Sequence, residues 1–401
     1  MDLGDRRGHL TYSTLVHAGD TWAEMWESLT TYVPEVKRNV SPDGPFGVSL
    51  RLSAASAAEL TASPEARRKL KDFLDSNDLY LYTVNAFPYG PFKGRAVKEQ
   101  VYEPDWQTDE RVEYTIQVAD ILAEVAAPGV SPSIQTAPLA FRPNVRTAEQ
   151  VALFTTNVLR VVAHLVNLER RTGCRVKLAI EPEPFCYLET IEDTVTYFNA
   201  YIQTDAAASE LSELAGIPIS ESIGAIRRYL GVVFDICHQA VEFEDITQDL
   251  ADLKSAGIPV FKLQEAAALW VPEVNDEIIE ALARFTGTIY LSQTTQLRAG
   301  KLTKFLNLED AISAYREDPG PREWRTHFHV PVFLDDLGPF RTTRFAIEQA
   351  LAVHRAEPVS DHLEIETYTW DVLPEHLKTG SITDYVTREL DWVKSQVVGE
   401  G

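Results

Sequence analysis

Short runs of β-branched and aromatic residues alternate along the chain with longer stretches in which apolar residues recur every three or four positions. The runs predict strands at His9–Thr14, Phe46–Leu52, Leu79–Asn85, Ser131–Gln135, Val176–Glu181, Gly231–Ile236, Pro259–Gln264 and Leu363–Thr367. Between them lie helical patterns. Trp22, Met25, Leu29, Val33 and Val36 follow an Asp20-Thr21 cap, and Val151, Phe154, Val158, Val162 and Leu165 precede a stop at Gly173. Ser381 with Asp384 reads as a capping box for a last helix, which frays after Val398. This alternation predicts an α/β fold, a (β/α)8 TIM barrel formed by residues 1–401 as a single domain.

Two stretches exceed a bare barrel. A long aromatic loop runs from Asn85 to Arg111, and between Gln264 and Leu363 the chain inserts a further segment. The insertion carries strand candidates at Thr288–Leu291 and Thr326–Val330; an alternative count makes the latter a barrel strand. Long loops after barrel strands fall on the C-terminal face, where barrel active sites form. Asn85 is a candidate for holding substrate there. Tyr82, Phe87, Tyr89 and Trp106 either wall the pocket or pack the loop.

Composition narrows the function. With 45% hydrophobic residues a packed core is expected, and a formal charge of -23 argues against nucleic acid, whose phosphates require clustered cations. The opening MDLGDRRGHL lacks the apolar stretch of a secretory signal, and no uninterrupted apolar run suggests direct membrane insertion. Cys174, Cys186 and Cys237 have no metal-type or redox spacing, which fits a reduced, cytoplasmic protein.

The candidate chemistry lies at strand ends. In VKLAIEPEP, alternation puts Lys177, Ala179 and Glu181 on one face, turned inward, and Pro182 ends the strand after the acid. The alternative is that Glu181 caps a helix or pairs with Lys177; Glu183 is either a supporting group or a rim residue. In GVVFDICHQA, Asp235 and His238 form a carboxylate–imidazole pair that suits a divalent cation, or one that merely orders a loop. In RTHFHVPVF, His327 and His329 share one face of an extended segment, as metal ligands or as core histidines. In HLEIETYTW, Glu364 and Glu366 face inward, with Glu366 nearer the exit; buried acids there need a cation or a lysine such as Lys262. Lys262 and Gln264 share a face of the preceding strand. Gln264, His238 and His327 are candidates for substrate contacts.

The order Glu181, Asp235-x-x-His238, His327-x-His329, Glu366 resembles the xylose-isomerase-like TIM barrels. HLTYSTLVHAGDTW, TVNAFPYGPF, VYEPDW and HLEIETYTWDVLP give a narrower likeness to the EboE-type metabolite-traffic proteins. The resemblance implies a divalent ion (Mn²⁺, Zn²⁺ or Mg²⁺) held by Glu181, Asp235, His238, His329 and Glu366. It implies an isomerase or epimerase with Glu181, Glu366 and Lys262 in proton transfer. The substrate would be a small sugar, cyclitol or sugar phosphate, met within a secondary-metabolite pathway and its protein partners. Hydrolysis of a small phosphoester, as in the endonuclease IV type, and non-catalytic carriage of a metabolite are the alternatives. A histidine that the superfamily carries on its seventh strand is replaced here by Lys262 or Gln264.

Overall fold

The computed structural model describes all residues except 95, 375–377, 379, 400 and 401. Seven strands come first: β1 (His9–Tyr12), β2 (Phe46–Arg51), β3 (Leu79–Asn85), β4 (Ser133–Thr136), β5 (Lys177–Ile180), β6 (Leu230–Asp235) and β7 (Val260–Glu265). Five more follow within the insertion: β8 (Ala267–Val271), β9 (Thr294–Arg298), β10 (Lys301–Phe305), β11 (Glu323–Val330) and β12 (Arg341–Thr342). β13 (His362–Ile365) then returns to the first set. β1–β7 and β13 form one parallel sheet in the order β1-β13-β7-β6-β5-β4-β3-β2, and a parallel bridge between Ser13 and Ser49 brings its two edges together. The fold is a (β/α)8 TIM barrel.

The helices form where the apolar spacing predicts them. Thr21 caps Trp22–Val40 in a capping box with Glu24, and the helix buries Trp22, Met25, Leu29, Val33 and Val36. Ala148–Thr172 ends at Gly173, whose φ of 74° admits the left-handed stop. This helix is apolar and long enough to cross a membrane, but 67% of its apolar window is buried inside the protein. Ser381 and Asp384 form the capping box of Ile382–Val398. Beyond Val398 the tail lies mostly outside the described residues.

The insertion is where expectation and structure differ. Thr288–Leu291 is not a strand, and Thr326–Val330 is part of β11, which lies outside the barrel. β8–β12 make a separate antiparallel sheet in the order β10-β9-β11-β8-β12. β8 begins almost where β7 ends, with Ala266 alone between them, so the chain leaves the C-terminal end of the barrel directly into this sheet. Its apolar face (Trp324, Phe328, Val330) joins the core that also contains Leu10, Leu178 and Leu363. The sheet is thereby fixed over the barrel mouth.

Candidate metal centre and pocket

Glu181 follows β5, Asp235 ends β6, Gln264 lies in β7 and Glu366 follows β13. Asp235 and Gln264 are paired in register across β6 and β7. The Gln264 Nε2 donates to Asp235 Oδ2 at 2.6 Å, to Glu181 Oε1 at 2.9 Å and to Glu366 Oε2 at 2.9 Å. An amide has two N–H bonds, so it cannot satisfy three carboxylates at once. The Gln264 Oε1 has no partner although it is fully buried. Burial and the neighbouring Glu366 and Asp235 carboxylates push the Glu181 carboxyl well above the usual range. Burial, then Glu364 and Asp235, push Glu366 up as well. Three buried acids crowded around one neutral donor are held at the cost of mutual repulsion, which a cation relieves.

His238 completes this group. Its Nδ1 lies 2.8 Å from the Pro182 carbonyl, so it carries the proton and donates, which leaves the Nε2 lone pair facing Asp235 Oδ2 at 3.7 Å. An imidazole oriented this way by a backbone carbonyl is the usual form of a metal-bound histidine. Ligand atoms of Glu181, Asp235 and His238 all lie within 4.8 Å of one another. The donor set fits a divalent ion: carboxylate oxygens, one imidazole, and the orphaned Gln264 oxygen, which a rotation of the amide turns toward the carboxylates.

The remaining expected residues sort into three groups. Asn85 Nδ2 donates to Glu366 Oε1 at 2.9 Å and lines the cavity with Phe87. Lys262, expected in proton transfer, is instead sealed one layer below: its Nζ holds Glu364 Oε2 at 3.0 Å and Gln135 Oε1 at 2.7 Å, and it does not line the cavity. Tyr82, Tyr89 and Trp106 are also away from the cavity. Tyr82 donates to the His9 and Leu363 carbonyls, Tyr89 packs edge-on against Tyr114, and Trp106 is fully buried in the main core. His329 points at His327, Nε2 to Nε2 at 3.2 Å, and groups with His327 and Cys237 rather than with Glu181 and Asp235.

Several functional neighbours carried weak signals. Gln135, an inward residue at the end of β4, donates to Glu181 Oε2 at 2.6 Å and accepts from Lys262, linking the two layers. Glu183 is buried in the pocket wall, where Tyr102 Oη (2.8 Å) and Gln293 Nε2 (3.0 Å) donate to its Oε1. Burial raises its carboxyl above the ordinary range, against the opposing pull of His238 and the two donors. Gln135 was legible by alternation. Tyr102 and Tyr368 lie in short 3-10 helices and Gln293 in the coil just before β9, where no sustained periodicity aims a side chain.

The cavity above these groups measures about 60 Å³. That is room for a few waters. The empty space around it, including its opening to solvent, is about 540 Å³, and a larger ligand would enter there. Its floor is Gln135, Glu181, Glu183, His238, His327 and Glu366, and its roof includes Phe87, Phe92, Tyr290 and Tyr368. The roof is fastened to the insertion by Lys98, whose Nζ donates to the Tyr290 carbonyl at 2.7 Å and Asn307 Oδ1 at 3.1 Å.

No protein-family model matches the chain, and no curated protein matches its sequence. Solved structures with a similar chain trace include an IOLI protein with a zinc atom (12% identity, 97% of this chain and 98% of that one, TM-score 0.48). A D-tagatose 3-epimerase-like protein follows (13%, 97% and 98%, TM-score 0.47). A xylose isomerase-like TIM barrel protein from Mycobacterium smegmatis in complex with magnesium is a third (9%, 99% and 98%, TM-score 0.47). At these levels of identity and superposition, the barrel is established by its own strand order.

Proposed function

We propose that the chain is a metal-dependent isomerase or epimerase of a small polyhydroxylated metabolite, a sugar or cyclitol. The convergence of Glu181, Asp235 and Glu366 on one amide nitrogen, beside a free His238 Nε2, carries the proposal. Glu181, Asp235, Glu366 and His238 would hold the ion, with Gln264 contributing its amide oxygen; Mn²⁺, Mg²⁺ and Zn²⁺ all suit such a set. A bound divalent ion supplies Lewis acidity toward a carbonyl or hydroxyl oxygen.

The protein's own groups account for the rest. Burial raises the Glu183 carboxyl above its ordinary range, and Tyr102 and Gln293 fix its orientation. It is the group best placed to exchange a proton with a carbon next to a carbonyl. The apolar roof keeps bulk water away from that carbon. Among the described residues lining the cavity Lys98 is the only cation, and its Nζ is already committed. An uncharged polyol therefore fits better than a phosphate ester, which also disfavours phosphoester hydrolysis. The EboE-type likeness supports a role in secondary metabolism.

A carrier is the second reading. Gln264 stands where an imidazole would bind the ion more strongly, and its amide already satisfies part of the carboxylate ring. Proton exchange separates the two. Metal-loaded protein incubated with ketoses and cyclitol ketones in D₂O is expected to label the carbon next to the carbonyl, and Glu183→Gln to lose labelling while retaining metal. Ligand binding with no label in any sugar contradicts catalysis and favours the carrier.

A further inference from the structure

Beyond the carboxylate ring, the insertion brings a second set of ligating side chains against the barrel. Cys237 lies in the short helix Ile236–Val241 after β6, fully buried against Ala266 and Ala268. Ala268 of β8 is paired in register with His329 of β11. The sulfur of Cys237 and ring nitrogens of His327 and His329 lie within 4.8 Å of one another. All three side chains are buried.

The hydrogen-bond network fixes what the histidines present. The Gln293 Nε2 donates to Glu183 Oε1 at 3.0 Å and to Tyr102 Oη at 3.1 Å, so its Oε1 is free to accept. His327 Nδ1, 3.0 Å from that oxygen, carries the proton, and its Nε2 presents a lone pair. The His329 Nε2–H donates to this lone pair at 3.2 Å, a hydrogen bond that a bound ion would replace. Two nitrogens bound tetrahedrally at about 2.05 Å from zinc stand roughly 3.3 Å apart, and a nitrogen and a thiolate sulfur roughly 3.6 Å apart. The imidazole pair thus already spans one edge of a zinc tetrahedron. His329 Nδ1 has no hydrogen-bond partner in its buried surroundings, and the ring packs on Tyr368 with centroids 4.5 Å apart. Tyr368 Oη, 3.5 Å from His327 Nε2, stands at the same cluster from the roof side.

We propose that Cys237 Sγ, His327 Nε2 and His329 Nε2 form a second metal site, for a thiophilic divalent ion such as Zn²⁺, that ties the inserted sheet to the barrel. The Cys237 thiol loses its proton to solvent on binding, and both imidazoles bind neutral. The site differs in chemistry from the oxygen-rich ring: sulfur and nitrogen select zinc or cobalt, whereas carboxylates accept manganese and magnesium. It stands whether or not the ring is catalytic.

Cobalt provides the test, because only a thiolate ligand gives an intense ligand-to-Co²⁺ charge-transfer band in the near ultraviolet. Metal-stripped full-length protein titrated with Co²⁺ is expected to develop that band, and Zn²⁺ to displace it. The band should vanish in Cys237→Ser, persist in Glu181→Gln, and be lost or weakened in His329→Gln with Zn²⁺ affinity falling by more than ~10-fold, the least that loss of a supporting group alone costs. His329→Gln keeps all three cysteines and serves if Cys237→Ser does not fold. Folded wild-type protein without the band, or a band unchanged in either variant, overturns the proposal.

Discussion

Asp235 and Gln264 sit opposite each other on adjacent parallel strands, and their side chains meet at 2.6 Å inside the barrel mouth. The same Gln264 nitrogen reaches Glu181 and Glu366, so a single neutral amide bridges acids from three other strand ends. Removing that amide leaves three buried carboxylates with no shared donor. Gln264→Leu is expected to lower stability in the metal-free protein by ~1–3 kcal/mol, the cost of orphaned buried acceptors. Added Mn²⁺ should recover most of the loss. Thermal unfolding with and without Mn²⁺ checks this, and an equal loss in both conditions would show that no ion replaces the amide.

Lys262 and Glu364 form an ion pair of which neither member reaches solvent. Lys262→Met strands the Glu364 charge and is expected to cost ~3–5 kcal/mol. The double variant Lys262→Met, Glu364→Leu should regain most of it. Denaturant unfolding reads the difference; a single variant as stable as the parent would mean that the pair is not what holds this layer.

Glu389, in the last helix, accepts from Thr367 Oγ1 at 2.8 Å and from the Val332 amide at 3.2 Å, and burial pushes its carboxyl up to about 8. The folded state therefore keeps a proton that the unfolded chain releases near pH 4.5. Its contribution is fully present below pH 4.5 and declines as pH rises toward 8, with a slope of at most ~1.4 kcal/mol per pH unit. Glu389→Gln should flatten stability over that window and raise it at pH 8. A pH profile identical to the parent's would contradict the assignment.

Much of this architecture was legible in the sequence because the barrel strands are short runs rich in β-branched and aromatic residues, several bounded by Pro or Gly, whose alternation turns their polar residues inward. Glu181 and Glu366 stood out as acids at the inward ends of such runs. The antiparallel sheet of the insertion was not legible. Its strands TTQLR and KLTKF are short and polar, AALWV reads as a continuation of β7, and the Ala299-Gly300 turn that joins β9 to β10 relies on positive φ at an alanine, 50°. Trp106 and Tyr89 misled for a related reason. An aromatic residue in an irregular loop carries no periodicity, and nothing in NAFPYGPF states which ring turns to the cavity and which to the core.

The His327 and His329 alternation was visible, with Phe328 turned away against Phe285. What one strand could not reveal was the partner. Register between β8 and β11 slips between Thr326 and His329, and His329 groups with Cys237 and His327.

The measurement closest to the central claim is calorimetric titration of metal-stripped protein with Mn²⁺, an ion that prefers the oxygen-rich ring to the thiolate site. One equivalent bound by the wild type, with binding lost in Glu181→Gln and in Asp235→Asn, both still folded, is the predicted result. Folded wild-type protein that takes up no Mn²⁺, or variants that bind it as well as the parent, would contradict the account.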